Sequence, residues 1–430
     1  MGNIKAIKGT YDILPEDTEG YWQYIEKVVR EVMRLYGYSE IRTPIFEDTA
    51  LFKRSIGEDT DIVGKEMYSF TDMGKRSITL RPEGTASVVR SFNEHHLDQK
   101  GLPQKLWYMG PMFRQERPQK GRQRQFHQFG VEVIGSSSPM LDAEVMILFD
   151  AIAGKLEFED RTYIINCLGG QESRDAYRTA LVEFLDTVED KLCDDCKRRK
   201  VSNPLRVLDC KVPQCHEVLD NAKELPRTID YLTVADRKHF ESVQSYLRKF
   251  GIAFKIDYSL VRGLDYYTGT IFEMNDAGLG AQSAVMAGGR YDNLVSELSG
   301  KNLPAVGFAC GIERLIMAVK DIIPDTKYLR KVDVFVIYPG LDLRDKAMEC
   351  CFELRKAGYS ADMDYLDRSM KAQMKTTSKL GAKYAIIVEP DKDVVSVRNL
   401  DQSKQEKMLF SEFIDKLRNE NSNILIYNEK

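Results

Sequence analysis

The chain contains no G-x-x-x-x-G-K-[S/T] segment, which excludes a phosphate-cradling Walker loop. No G-x-G-x-x-G opens a helix after a strand, which argues against a Rossmann dinucleotide site. No run approaches the roughly 20 apolar residues of a membrane span. The first residues, MGNIKAIKGTYDILPED, lack the apolar core of a signal peptide. Only eight cysteines occur in 430 residues, and Cys350 and Cys351 are adjacent. That usage argues against a disulfide framework and for a reducing cytoplasm. Net charge is only −4, so any contact with a polyanion must come from a local basic patch. Internal repeats and low-complexity tracts are also missing.

What is present reads as an ordinary globular protein, 43% hydrophobic and 30% charged. The length implies two to three domains of roughly 100–200 residues each. A helix is expected from Thr18 to Tyr36, with Tyr21, Ile25, Val28, Val29, Val32 and Met33 as its buried stripe and Gly37 as its stop. A strand over Tyr38–Thr43 ends at Pro44, and the acidic residues 45–66 read as loop. Strands follow at 68–70 and 78–80, a helix from Pro82 to about His96, another near 141–154 and a strand at 163–167. Residues 170–255 are richly charged and helical in pattern, as an inserted subdomain would be. Strand and turn signals return over 254–309. Beyond Pro324 strands at 332–338, 361–365, 383–389 and 394–399 alternate with helices at 342–357, 368–380 and 408–419, the pattern of a small α/β domain. The expected division is therefore 1–169 and 256–325 for one domain, 170–255 for its insertion, and 326–430 for the last.

Residues 106–134, LWYMGPMFRQERPQKGRQRQFHQFGVEVI, form two alternating runs around a basic loop, the pattern of a hairpin. In the first run Trp107, Met109 and Phe113 share a face; Tyr108, Gly110, Met112 and Arg114 share the other. In the second, His127, Phe129, Val131 and Val133 oppose Phe126, Gln128, Gly130 and Glu132. Each strand thus has an apolar side and a side fit for the floor of a polar pocket. Arg117, Lys120, Arg122 and Arg124 at the tip suit a polyanion, although such runs are often merely solvated.

Three further segments carry polar groups among glycines. PAVGFACGIERLIMAV (304–319) is a strand and a helix, with Arg314 in the helix's first turn. The helix dipole disfavours a cation there by a few tenths to about 1 kcal/mol, and a bound polyphosphate would reverse that sign. LVRGLDYYTGTIFE (260–273) combines Arg262, Asp265, Tyr266 and Tyr267 with Gly263 and Gly269; the bland alternative is an Arg–Asp pair in a turn with core tyrosines. AGGRYD (287–292) adds Tyr291. In Arg81-Pro82-Glu83-Gly84-Thr85, Glu83 serves either a helix N-terminus or an ammonium group.

In this order the segments resemble a class II aminoacyl-tRNA synthetase. The first helix and the strand ending at Pro44 look like that class's dimer-forming first motif. FRQERPQKGRQRQFHQFGVEVIG looks like its second and GFACGIERL like its third. LVRGLDYYTGTIFE and AGGRYD narrow the likeness to the histidyl-tRNA synthetase family, over essentially the whole chain. The resemblance implies an α+β catalytic domain, an antiparallel sheet flanked by helices, with a helical insertion and a C-terminal α/β anticodon-binding domain. It implies a homodimer that activates L-histidine with ATP and Mg2+ to histidyl-adenylate and pyrophosphate, then transfers histidine to the 3′ end of tRNA(His).

By that resemblance Arg114 and Arg262 meet the α-phosphate, and Arg314 grips the γ-phosphate. Glu83, Gly84 and Thr85, with Gln128 nearby, take the histidine α-amino group. Glu132 and Tyr267 read the imidazole, with Tyr266 and Tyr291 lining the pocket; Arg114 and Arg262 also face the amino acid. Arg122 belongs to the ATP site, and Arg117 and Gln119 with Arg122 lie toward triphosphate or tRNA. His127, on the apolar side, is expected to be structural. In the last domain Arg368, Lys371, Lys375 and Lys379 make a cationic stripe for tRNA, the alternative being a solvated face.

Two readings stay open. A regulatory subunit of histidine biosynthesis shares this fold without charging tRNA, but would be expected to lose the arginines and the last domain. Cys193, Cys196, Cys210 and Cys215 could hold a structural zinc, yet the second spacing is loose and no metal ligand is assigned on sequence grounds.

Overall fold

The computed structural model describes residues 4–15, 19–57, 60–119, 121–159, 161–210, 212–222, 224–276, 284–320, 322, 332–391 and 393–427, apart from the side chains of Glu19 and of 421–427. Lys120, expected at the hairpin tip, lies outside them. Two compact units emerge, Met1–Ile323 and Pro324–Lys430. Among the described residues no helix is long and apolar enough to cross a membrane.

The strands of the first unit are, in chain order, β1 (Ser39–Glu40), β2 (Phe46–Asp48), β3 (Tyr68–Thr71), β4 (Ser77–Leu80), β5 (Gln104–Phe113), β6 (Gln125–Ile134), β7 (Thr162–Cys167), β8 (Phe254–Ile256), β9 (Thr268–Asn275), β10 (Ala284–Arg290) and β11 (Ala305–Gly311). Its helices are α1 (Glu19–Leu35), α2 (Thr49–Ile56), α3 (Thr85–Glu94), α4 (Pro139–Lys155), α5 (Gln171–Thr187), α6 (Asp194–Ser202), α7 (Pro213–Asp220), α8 (Val234–Lys249), α9 (Leu294–Ser299) and α10 (Ile312–Val319).

Eight strands form one sheet in the order β1-β5-β6-β11-β10-β9-β7-β8. Among the described residues its interior is antiparallel, and only the edge pairs β1·β5 and β7·β8 are parallel. The β5–β6 hairpin pairs Gln104–Phe113 against Gln125–Ile134 in unbroken register. α1 buries the stripe expected of it, with Trp22 added, and Gly37 ends it at a positive φ of 72°. α4 covers the same sheet, and Phe149 packs edge-on against Phe308 of β11.

Several local expectations fail for physical reasons. The strand over 38–43 shrinks to β1, which pairs Ser39 and Glu40 with Leu106 and Trp107 of β5; further on, the Thr43 carbonyl and hydroxyl accept from the Arg81 guanidinium. The acidic stretch 45–66 is not loop. It holds β2, α2 and a short π-helical turn over Ile62–Glu66. The Asp48 carboxylate caps α2 through the Ala50 amide at 2.8 Å, and Leu51, Phe52 and Ile56 are buried. Within 170–255, α5, α6 and α7 share a core of their own around Leu181, Leu185, Cys196 and Val207. α8 instead packs on α4, and β8 pairs with β7, so these two elements join the layers of the main sheet.

The second unit contains β12 (Val334–Ile337), β13 (Ala361–Met363), β14 (Tyr384–Val388), β15 (Val394–Asn399) and β16 (Lys404–Leu409), with α11 (Arg344–Lys356), α12 (Met370–Lys379) and α13 (Phe410–Tyr427). The sheet runs β13-β12-β14-β15-β16, parallel across the first three strands and antiparallel across the rest. β16 is the strand that periodicity misses: KQEKML is polar and largely exposed, and only pairing with β15 makes it a strand. Arg368 falls before α12, and its Nε reaches the buried Asp364 carboxylate at 2.5 Å. The helical stripe is therefore Lys371, Lys375 and Lys379, all exposed.

Candidate active site

Antiparallel β6, β11, β10 and β9 give the first unit a floor whose pocket side carries small or polar residues. A cavity of about 610 Å³ opens over it. Glu83, Thr85, Arg114, Arg122, Gln128, Arg262, Tyr266, Tyr267, Tyr291 and Arg314 all line this cavity. A larger hollow of about 680 Å³ lies on the insertion, beside Phe184, Lys191 and Glu217, and holds none of the candidate residues. Arg117 and Gln119 are exposed and outside the cavity wall. Arg368, Lys371 and Lys375 belong to the second unit.

One end of the cavity is built on carboxylates. The Glu83 carboxylate accepts the Thr85 and Ala86 amides of α3 at 2.7 and 2.8 Å. It therefore caps a helix at the cavity wall. Burial raises its affinity for a proton, opposed by those amide bonds. Glu132 is fully buried on β6. It accepts the Thr85 hydroxyl at 2.7 Å and the Tyr291 hydroxyl on the opposite oxygen. Burial pushes its carboxyl up to about 8; the bonds from Tyr291 and Thr85 oppose the rise, and the neighbouring Glu83 adds to it. Tyr266 packs on Tyr267 and Tyr291 with ring centroids 4.8 and 5.6 Å apart.

Gly84 does not face the cavity. A side chain there would collide with the Tyr108 ring, so this glycine makes room for an aromatic wall. Gly307 works likewise on β11, where a Cβ would strike the Glu132 carboxylate and the Val131 carbonyl.

The other end is cationic. Arg114 Nε donates to the Pro82 carbonyl at 2.9 Å, and its guanidinium lies over the Phe126 ring. Arg122 bonds Glu116 at 2.7 Å. Arg314 donates from Nε to the Gly121 carbonyl at 3.1 Å and from a terminal nitrogen to the Ala284 carbonyl at 2.7 Å, tying the hairpin tip to β10. Burial, then the charge of Arg122, lowers the Arg314 pKa, and Glu116 opposes the shift. Arg262 pairs with Glu273 at 2.6 Å, and its buried Nε has no hydrogen-bond partner among the described residues.

Three acids escape sequence reasoning. Glu116 sits inside the basic run and Glu273 inside LVRGLDYYTGTIFE; an isolated acid among cations was the available signal for the first. Glu313 is a third. It accepts the His127 amide at 2.9 Å and faces its ring at 3.0 Å, while Trp22 packs edge-on against that ring. His127 is thus a packed strut between β6 and α10. Arg206, Leu208, Asp209 and His216, from the insertion, also bear on the site and carried no motif.

The hairpin floor, the two-ended cavity and the arginine in the first turn of α10 together define a class II aminoacyl-tRNA synthetase catalytic domain. The histidyl-tRNA synthetase family model matches residues 9–315, and an anticodon binding domain model matches 333–420. Histidine–tRNA ligases of Thermosipho melanesiensis and Halothermothrix orenii are 49% and 48% identical to the chain, over 93% and 96% of it and 95% and 99% of their own lengths. The apo histidyl-tRNA synthetase of S. aureus has the same fold, with a TM-score of 0.79 and 38% identity over 96% of this chain and 99% of that one. The chain belongs to the histidyl-tRNA synthetase family.

Proposed function

We propose that this enzyme is a histidine–tRNA ligase that first joins L-histidine to AMP and then moves histidine to the 3′-terminal ribose of tRNA(His). The single observation that carries this reading is the split cavity. One end is lined by Glu83, Thr85, Tyr267 and Tyr291, with Glu132 buried directly behind Thr85 and Tyr291 and bonded to both; the other is lined by Arg114, Arg122, Arg262 and Arg314. The histidine carboxylate attacks the α-phosphate of ATP, a P–O bond forms, and pyrophosphate leaves. No protein nucleophile is required, so catalysis is positioning and charge stabilisation.

Arg114 and Arg262 are assigned to the α-phosphate, and Arg314 and Arg122 to the distal phosphates. Glu83 and Thr85 take the α-amino group beside Gln128. Glu132 and Tyr267 hydrogen-bond the imidazole, with Tyr266 and Tyr291 as walls. A pocket that pairs both ring nitrogens rejects apolar amino acids, whose binding would strand its own buried polar groups. Glu116 and Glu273 are already engaged by Arg122 and Arg262, so Mg2+ travels chiefly on the phosphates of ATP.

Lys371 and Lys375, with Arg117 and Gln119, are assigned to tRNA, and Arg368 acts through Asp364. Residues 1–169 and 256–325 are assigned to the catalytic domain and 170–255 to the insertion, whose α8 and β8 join the catalytic layers, and 326–430 is assigned to the anticodon. Ile45, Phe46 and Phe70 are exposed on and beside the small β2-β4-β3 sheet, which supports a homodimer. Cytoplasmic residence follows from the need for tRNA and ATP.

ATP–pyrophosphate exchange with each of the twenty amino acids, without tRNA, tests the reading. Exchange with histidine alone is expected. Histidine binding without exchange would instead identify a non-aminoacylating regulatory subunit.

A further inference from the structure

Four thiols outside the cavity have no part in this chemistry, yet the fold brings them together. Cys193 caps α6 and Cys196 lies in its first turn. Cys210 follows a 3₁₀ turn over Pro204–Val207, and Cys215 sits in the first turn of α7. Their four sulfurs all lie within 4.8 Å of one another, with Cys193 and Cys210 3.9 Å apart. A disulfide needs about 2.05 Å. A tetrahedral zinc with Zn–S bonds of about 2.3 Å sets its sulfurs about 3.8 Å apart, close to what is seen. The Cys193 amide donates to Cys215 Sγ at 3.2 Å and the Val212 amide to Cys210 Sγ at 3.5 Å. Amide bonds of this kind hold thiolate ligands in orientation.

We propose that Cys193, Cys196, Cys210 and Cys215 bind one structural zinc ion, and that this centre braces one wall of the activating cavity. Soft thiolates select zinc over the harder divalent ions, and four protein ligands leave no open position for catalysis. The bracing follows from what the same short stretch touches. Asn203 Nδ2 donates to Asp265 at 2.8 Å. Arg206 bonds Asp61 at 3.3 Å and the Arg262 carbonyl at 3.5 Å. Leu208 and His216 line the cavity itself. Residues 203–216 therefore connect the thiol cluster to the loop that carries Arg262, Tyr266 and Tyr267. The metal site stands without the proposed function; the bracing rests on it.

Full-length protein purified without chelator and without a histidine tag is expected to hold one zinc per chain by elemental analysis. Less than about a tenth of an equivalent, or iron in its place, overturns the site. Cys210→Ser is expected to lose the zinc, and Cys350→Ser to keep it. Because Cys210→Ser could fail to fold, the wild-type protein is also reconstituted with Co2+. Intense d–d bands with thiolate charge-transfer absorption are expected, and the weak bands of octahedral cobalt overturn tetrathiolate ligation. Removing zinc is expected to lower kcat/KM for histidine-dependent exchange about 10- to 100-fold, with recovery on adding zinc back. Unchanged exchange in zinc-free protein, with metal analysis positive before removal, overturns the bracing alone.

Discussion

Glu132 shows how burying a single carboxyl sets the pH dependence of the fold. Its folded-state pKa of about 8 lies above the roughly 4.3 of an unfolded chain. The folded protein therefore binds the proton more tightly, and the sign is fixed. This group's contribution is fully present below pH ~4.3, declines as pH rises, and levels off above about 8. Thermal unfolding of Glu132→Gln between pH 5 and 8.5 is expected to lose that downward slope relative to wild type. The same substitution should cut histidine-dependent exchange at least ~100-fold, because an amide cannot give up a proton and accept the imidazole N–H as a carboxyl can. Gly307 is bound to the same carboxylate by space. Gly307→Ala should lower stability by about 1–3 kcal/mol in urea titrations and raise the KM for histidine, since neither the Val131 carbonyl nor Glu132 can withdraw.

Among the elements, the hairpin is the one whose sequence says most, since period-two alternation survives intact in its register. α2 says least. Eight residues with Lys53 and Arg54 between acids look like loop, and the helix exists through the Asp48 cap and its packing against α3. α12 yields a prediction of its own. Lys371→Glu with Lys375→Glu should weaken tRNA binding on the order of 10-fold and flatten its salt dependence, while amino-acid-dependent pyrophosphate exchange stays at the wild-type level. Equal loss of both activities would count against a tRNA role for this face.

On the scale of a whole unit, the first one is tied together by a charge cluster that no local motif marks. Asp142 on α4 is fully buried and bonds His239 of α8 at 2.8 Å and Arg290 of β10 at 3.0 Å. Burial alone would raise the Asp142 carboxyl, but the bonds from His239 and Arg290 outweigh it and hold the carboxyl below the ordinary range. The stability it contributes is present above the unfolded pKa of about 3.9 and is lost as pH falls through its folded value. Asp142→Ala leaves the buried Arg290 with Asp292 as its remaining acidic partner and should cost about 3–5 kcal/mol in denaturant unfolding at neutral pH, and less in acid.

The sequence by itself determined the family, the α/β character of the last unit, the buried stripe of α1 and ten of the side chains that meet in one cavity. These are local matters: a period, a turn residue, a motif whose members stand within a few residues of each other. Only the tertiary structure decided that Glu273 faces Arg262, that Gly84 makes room for Tyr108, that α8 serves the main sheet and that four cysteines spread over 23 residues converge. The physical reason is the same in each case. Side-chain partners across sheet and insertion are set by packing of distant segments, and chain spacing carries no record of which segments will meet.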